Sequence, residues 1–490
     1  MSDHIPIGGE IKDRVPKYPF VLERPNSGLL KYNVSLKSGD IVKENYNDDK
    51  YETYVSHSGA RLMIFQTPSE RFRANVLVNI GSDSETGEDE VECAHILEHM
   101  VAALCTKNVK NATQVAINLD SRGIITNAET TDGYVSYFVS GPAICDVNSR
   151  KVDNAKYMTD VMMQIMEGNI IFPDDQGIKS ELQAVEQELA SAAGDEQGSS
   201  EREISNILYK GTTRAHSESY RLRWLRKKLE TEQGIASLSK TLKKLYREWY
   251  QPRNLCLILV GKKLPDEFLR AVIQRVGKLK NIKSRRTTEK QPICNRDHLY
   301  SKIINITSDS HNGRAKSVIT WDPRISKYEL RRVAVFDCIR STLSDGFSSR
   351  LMDKLRTRLG AVYNVPVSLI LDDIEPLNSV FRVTVECEKS KAYEAIDIII
   401  EEIIDMGKNG ITEDEISKWR NRCESSKSAL YECNSPDDLS DSIVTFASHS
   451  DIVPVPEQLV VIDSLVTSAE VQKEALAILK RVTIFSTLKI

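Results

Sequence analysis

Apolar residues along this chain recur with two alternating periods, and the switches between them predict an ordered succession of strands and helices. Two short strands, 61–66 and 74–80, are joined by the turn-rich Thr67-Pro68-Ser69-Glu70 and closed by Gly81-Ser82. A helix over about 90–104, a second around 113–119 and a strand pair near 124–139 follow. Helical periodicity then dominates 154–166 and 174–193, broken by the Gly- and Ser-rich stretch 194–200. The turn Tyr250-Gln-Pro-Arg-Asn254 launches the apolar strand 255–260.

Residues 278–292 are rich in Lys, Arg, Asn, Ser and Thr, and beyond them the pattern restarts. A strand over 315–321, a helix over 328–343, strands over 362–371 and 379–387, an amphipathic helix over 392–406 and a long helix opening at Gly410-Ile-Thr-Glu-Asp-Glu415 mirror the first half at an offset of about 240 residues. The expected fold is α+β, two copies of one unit in which helices pack on a mainly antiparallel sheet. The expected organisation is an N-terminal extension (1–50), a first repeat (51–277), a linker (278–298) and a second repeat (299–490).

Composition narrows the classes. The 490 residues carry 66 Lys plus Arg against 70 Asp plus Glu, a net charge of -4, which argues against a general electrostatic grip on nucleic acid. Apolar runs such as 255–260 fall far short of the roughly 20 residues that span a bilayer. Nine cysteines, an odd number without a CxxC pair, argue against a disulfide framework and a Cys-rich zinc site and for a reducing compartment. The N-terminal residues resemble neither a signal peptide nor a transit peptide, so the cytosol is expected.

One segment concentrates chemistry: His95-Ile-Leu-Glu98-His99. On a helix, positions i, i+3 and i+4 share a face, so both imidazoles and the carboxylate project together, as a zinc ion and its base require. A zinc hydrolase needs a third protein ligand with a fourth position left for water. The 174–193 helix offers candidates. Glu181 and Glu188 lie about 20° apart around it, with Ala184 and Val185 on their stripe, while Glu186 is turned away by about 200°. That stripe reads as apolar and inward, and acids on it need a partner, whereas Glu186 reads as a solvated charge. Helical phase leaves Glu181 and Glu188 both open.

The HxxEH motif followed by a helical Glu-x6-Glu resembles the inverzincins, the pitrilysin and insulin-degrading-enzyme family of zinc peptidases. The resemblance runs over most of 55–490. It includes Gly81-Ser82, Met100, Asn127-Ala128-x-Thr130, Tyr250-x-Pro-x-Asn254, Gly261, Gly346-x-Ser-Ser-Arg-Leu351 and Arg356-x6-Tyr363. It implies two sandwich-like repeats of the processing-peptidase type, with Zn2+ held by His95, His99 and Glu188. Glu98 would be the general base, and Glu181 would hydrogen-bond a ligand imidazole. Asn127 and Ala128 would lie on the strand that docks peptide, and Arg356 and Tyr363 would reach substrate and oxyanion from the second half.

Peptide substrates and a dimer, of identical or related subunits, follow from the same resemblance, because such enzymes enclose substrate between four units. A catalytically silent scaffold subunit is the alternative. Two departures stand out: Cys93 occupies the place of a glycine expected two residues before the first His, and the spacing from His99 to Glu188 is lengthened by an expected loop near 143–154. The second half has no HxxEH and reads as a non-catalytic copy. The basic run 221–228 reads as a solvated helix face.

Overall fold

The structure, a computed structural model, describes residues 41–44, 51–147, 150–173, 175–194, 198–281, 294–307, 313–372, 378–432, 435–448 and 456–488. The expected N-terminal extension lies outside the described residues apart from 41–44, and the expected linker lies outside them over 282–293.

Two sheets repeat one strand order. In chain order the first half supplies β1 (Ile41–Glu44), β2 (Tyr51–Ser56), β3 (Arg61–Gln66), β4 (Arg71–Val78), β5 (Ile125–Thr130), β6 (Val135–Pro142), a separate hairpin of β7 (Ile144–Val147) and β8 (Arg150–Asp153), and β9 (Leu255–Gly261). The second half supplies β10 (Lys302–Asn305), β11 (Arg314–Trp321), β12 (Val367–Ile370), β13 (Val380–Glu388) and β14 (Val482–Ser486). The sheets run β1-β2-β3-β9-β4-β6-β5 and β10-β14-β11-β13-β12. Apart from the edge pair β1-β2 the orders correspond strand for strand. In each, the last strand inserts between the first two and runs parallel to one of them, while the other neighbours are antiparallel.

The helices repeat as well. The first half carries α1 (Cys93–Ala102), α2 (Ala112–Asp120), α3 (Asn154–Met166), α4 (Asp175–Gly194), α5 (Gly198–Leu208), α6 (Glu218–Leu229), α7 (Glu232–Trp249) and α8 (Asp266–Gly277). The second carries α9 (Leu330–Ser344), α10 (Ala392–Asn409), α11 (Glu413–Glu432), α12 (Pro436–Ala447), α13 (Pro456–Leu465) and α14 (Ser468–Ile478). Starts at 154 and 392, 175 and 413, and 198 and 436 share a constant offset of 238 residues. The fold is therefore α+β, built from two units of one topology.

Each central strand is apolar on both faces, and the two faces meet different partners. Leu62, Ile64, Val76, Val78, Leu257 and Leu259 face α1, α3, α4 and α7 within the first half. Met63, Phe65, Leu77, Cys256, Ile258 and Val260, one residue out of phase, instead meet Leu439, Ile443, Val444 and Ala447 of α12 from the second half. The converse contact is present. Ile204 and Leu208 of α5, with Tyr209 just beyond it, pack with Val318, Val380 and Phe485 on the second sheet. Polar pairs flank both crossings: Arg73 of β4 meets Asp441 at 2.5 Å, and Arg382 and Lys316 meet Glu201 at 2.6 and 2.7 Å.

Two boundaries depart from expectation for local reasons. The strand expected over 362–371 is paired only over Val367–Ile370, since Pro366 has no N–H to donate and restrains the residue before it. The helix expected from about 90 begins at Cys93, because Glu92 has φ 63°, a left-handed conformation that a right-handed helix cannot continue through.

The exchange of α5 and α12 predicts coupling between the halves. Ile443→Ala should destabilise the protein by about 2–4 kcal/mol in chemical denaturation. Hydrogen exchange should show the loss of protection in β4 and β9 of the first half, not only around α12.

Candidate metal centre

The site begins with a loop that must approach a neighbouring turn closely. A Cβ at Gly81 would lie 2.4 Å from the carbonyl oxygens of Thr131 and Asp132, so only glycine fits there. That approach lets the N–H groups of Ser82 and Asp83 donate to those oxygens at 3.1 and 2.9 Å, fixing the loop to the β5–β6 turn. From the same loop the buried Glu85 carboxylate accepts the N–H of Glu92 at 3.0 Å and of Ala94 at 2.9 Å, satisfying donors that the first turn of α1 leaves free. Burial, together with the nearby Glu92 charge, pushes Glu85 up to about 8.

From α1, His95 and His99 turn their Nε2 atoms toward one another at 3.2 Å. Oε2 of Glu188, on α4, lies 3.3 Å from His95 Nε2 and 3.6 Å from His99 Nε2. The donor atoms of these three residues all fall within 4.8 Å of one another. Tetrahedral zinc with Zn–N near 2.0–2.1 Å places adjacent donors about 3.3–3.4 Å apart, so the triangle and its N2O donor set fit that ion. Glu181 Oε2 sits 3.5 Å from the other nitrogen of His99, Nδ1. Burial opposes a charge on His99, but Glu181, Glu98 and Glu188 together outweigh it and raise its pKa. Glu98, half-buried beside the triangle, accepts a hydrogen bond from the Thr130 hydroxyl at 3.0 Å.

Glu188 itself is exposed, and the inward stripe of α4 consists of Leu182, Val185 and Leu189. The reading of Glu188 as a buried acid is thus corrected: it borders an open cleft, not the core. Glu186 is turned to α6, where it pairs with Arg226 at 2.8 Å. A cleft of about 380 Å³, lined by Ser82, His95, Glu98, Thr130 and Arg221 among others, opens beside the centre.

Other anticipated residues separate into two places. Asn127 is exposed and Ala128 half-buried on β5, the edge strand next to β6. Arg356 and Tyr363 come together in the second half, where the guanidinium lies 4.9 Å from the Tyr363 ring and 4.6 Å from Phe347. Tyr363 is 82% exposed, and neither it nor Arg356 makes a hydrogen bond, ion pair or ring contact with His95, Glu98, His99 or Glu188. The π-helical segment Met352–Arg358 that carries Arg356 is anchored by Arg350, which binds Glu415 at 2.6 Å and Asp405 at 2.8 Å.

Several residues at the site were not singled out by sequence. Arg221 belongs to the run read as a solvated face, yet it meets the buried Glu92 carboxylate at 3.4 Å, while Lys228 pairs with Asp89 at 2.7 Å. The glycine-favouring backbone lies at Glu92, not at Cys93, which is buried within the helix. Burial drives the Cys93 thiol well above its ordinary pKa, leaving it poorly suited to redox sensing. Beneath the loop, Arg214 reaches Asp83 and Asp372 at 3.1 Å each and Asp132 at 3.2 Å, so one guanidinium ties the loop before α1, the β5–β6 turn and the second half.

The chain is thus a two-repeat α+β protein with HxxEH on the first helix of its first unit and a helical carboxylate completing the triangle. Residues 44–219 match the insulinase (peptidase family M16) family and 238–423 the peptidase M16 inactive domain, and the chain belongs to this family. It is 23% identical over 370 residues to an uncharacterized zinc protease of Streptomyces coelicolor, covering 74% of this chain and 72% of that one. Its fold is similar to that of a protease from Helicobacter pylori, with TM-score 0.70 and 17% identity over 89% of this chain and 99% of the other. The periplasmic protease PqqL of Escherichia coli gives TM-score 0.68 at 14% identity, with all of this chain covering 49% of that protein.

Two outcomes follow from this geometry. Glu188→Gln should lose zinc to a chelator far more readily than Glu186→Gln; equal retention would remove Glu188 from the ligand set. The second concerns Asp83, which burial pushes up to about 7 against the pull of Arg214. An acid whose pKa is raised in the folded state binds its proton more tightly there, so its favourable contribution is complete below about 4 and is lost as pH rises through about 7. The thermal midpoint should therefore fall over that window, and Asp83→Asn should flatten the fall.

Proposed function

We propose that this chain is a zinc endopeptidase that hydrolyses peptide bonds in short or unfolded polypeptides. The observation that carries the reading is the convergence of His95, His99 and Glu188 with Glu98 held beside them by Thr130. Zinc in this triangle would supply a Lewis acid for the scissile carbonyl and lower the pKa of a water toward 7. Glu98 would accept that water's proton and pass it to the leaving amine, while the Thr130 hydroxyl keeps the carboxylate turned to the cleft. Glu181, at Nδ1 of His99, would fix the orientation of that ring.

The edge position of β5 supports peptide docking as an added strand beside Asn127 and Ala128. In the second half, Arg356 and the exposed Tyr363 would contact substrate and developing oxyanion only when a chamber brings them within reach. This chain supplies two units and spans about half of the E. coli PqqL chain, which supports a dimer, of two copies or with a related subunit, that completes the enclosure. Such an enclosure would admit peptides and exclude folded proteins of ordinary size. The cytosol, expected from the cysteine pattern, belongs to the same proposal. A silent scaffold role is the second reading, prompted by the match of the second half to an inactive domain. An intact Glu98 with a partner that orients it speaks against that reading for the first half.

The deciding experiment compares wild type with Glu98→Gln on a quenched peptide library, alongside zinc content and sedimentation. Wild type should carry about one zinc per chain, sediment as a dimer and cleave. Glu98→Gln should keep zinc and fold while activity falls by several orders of magnitude, because Gln cannot take up the proton. Zinc-loaded wild type that cleaves nothing would favour the scaffold; a fully active monomer would remove the dimer.

A further inference from the structure

Glu92 occupies a backbone conformation unfavourable to its side chain. Its φ of 63° and ψ of 6° lie in the left-handed region, which disfavours residues with a Cβ. Among the described residues only Leu104, Ser301 and Arg324 share a positive φ without being glycine. Nor is this carboxylate a solvated one, since the residue is 2% exposed. A strained, buried acid at the entrance to the HxxEH helix needs contacts that hold it there, and its two oxygens have them. Oε1 lies 2.7 Å from His95 Nδ1, and Oε2 lies 3.4 Å from the Arg221 guanidinium. The main chain is fixed independently, through the Glu92 N–H bonded to Glu85.

Orientation gives these contacts their meaning. His95 turns Nε2 toward His99 and Glu188, so Nδ1 is the nitrogen left to donate, and the only geometry that presents Nε2 as a lone pair is the tautomer protonated at Nδ1. A carboxylate 2.7 Å from Nδ1 selects that tautomer and locks the ring plane; a glycine would relieve the backbone and do neither. We infer that Glu92, with Arg221 beside its second oxygen, is a positioning residue for the proposed metal ligand His95, retained at a conformationally unfavourable site because its carboxylate orients that imidazole. The inference rests on the zinc reading above and assigns to the loop before α1 a share in metal retention, exerted through His95.

The test uses the full chain as wild type, Glu92→Gln and Glu92→Gly, with three measurements: the rate of zinc release to a chromophoric chelator, the absorption spectrum of the Co2+-substituted protein, and the thermal midpoint of the metal-free protein. Loss of such a carboxylate partner typically weakens metal binding about 10- to 100-fold. Glu92→Gly should release zinc faster by about that factor and alter the Co2+ spectrum, while its metal-free midpoint equals or exceeds that of wild type because the strain is gone. Glu92→Gln, which keeps the shape and an acceptor oxygen but not the charge, should fall between the two. A merely structural role would move the metal-free midpoint down and zinc retention with it. That outcome, or wild-type zinc release in both variants, would overturn the inference. Wild type that takes up no zinc would instead sink the zinc reading, so the two failures are distinct.

Discussion

Negative charge confined in a small volume is the constraint that organises the first half of this protein. Glu85, Glu92, Glu98, Glu181 and Glu188 gather around two imidazoles, and Arg221 is the guanidinium that meets Glu92 within that group. Desolvated like charges repel strongly, and a fold can hold them together only if each has a distinct answer. Here the answers differ residue by residue. Glu85 accepts two backbone N–H groups and is pushed toward its neutral form, Glu92 is divided between His95 and Arg221, Glu98 takes the Thr130 hydroxyl, and Glu188 stays exposed at the cleft. What is left over, at the point where His95, His99 and Glu188 converge, is a site whose donors and spacing suit a divalent cation.

The surroundings serve that convergence. Helices α1 and α4 must lie close enough for an i, i+4 pair of imidazoles to meet a carboxylate, and their registry is set by the apolar faces of both: Ile96, Leu97, Met100 and Val101 on one, Leu182, Val185 and Leu189 on the other. Behind them stands a sheet whose far face is closed by α12 from the second half, as α5 closes the second sheet in return. A unit of this topology leaves one sheet face open, and exchanging a helix covers both faces at once. The second half can then do without a site. Its α9 has no histidine and buries Val335, Phe336 and Ile339 in its own core.

Much of this was legible because it depends on local period. The i, i+3, i+4 spacing put His95, Glu98 and His99 on one face, the repeat offset foretold two units, and the helix 154–166 falls on its expected bounds. Helical phase correctly separated Glu188 from Glu186, but the argument that an acid on an inward stripe must be buried failed, because that flank of α4 meets a cleft. Residues whose role depends on a distant partner gave no such signal. Glu92 looks like one more surface acid in Glu88-Asp-Glu-Val-Glu92, and Arg221 like one more charge on a basic helix, until tertiary structure sets one against the other. The helix exchange was invisible for the same reason, since an apolar face does not say which sheet it covers.

The loop before α1 shows how such long-range dependence is built. Its close approach at Gly81 fixes Ser82 and Asp83 to the β5–β6 turn, Arg214 fixes Asp83 and that turn to Asp372 of the second half, and Glu85 fixes the start of the helix to the loop. Every step is a close or charge-assisted contact, and so one continuous set of contacts joins the second half to the first turn of the helix that carries both imidazoles. The chain order of these contacts also explains the positive end of α1. Its free N–H groups face Glu85, which burial pushes up to about 8, while the Glu92 carboxylate is turned to His95. The first turn of α1 is thus held from two sides, its backbone by Glu85 and its His95 imidazole by Glu92.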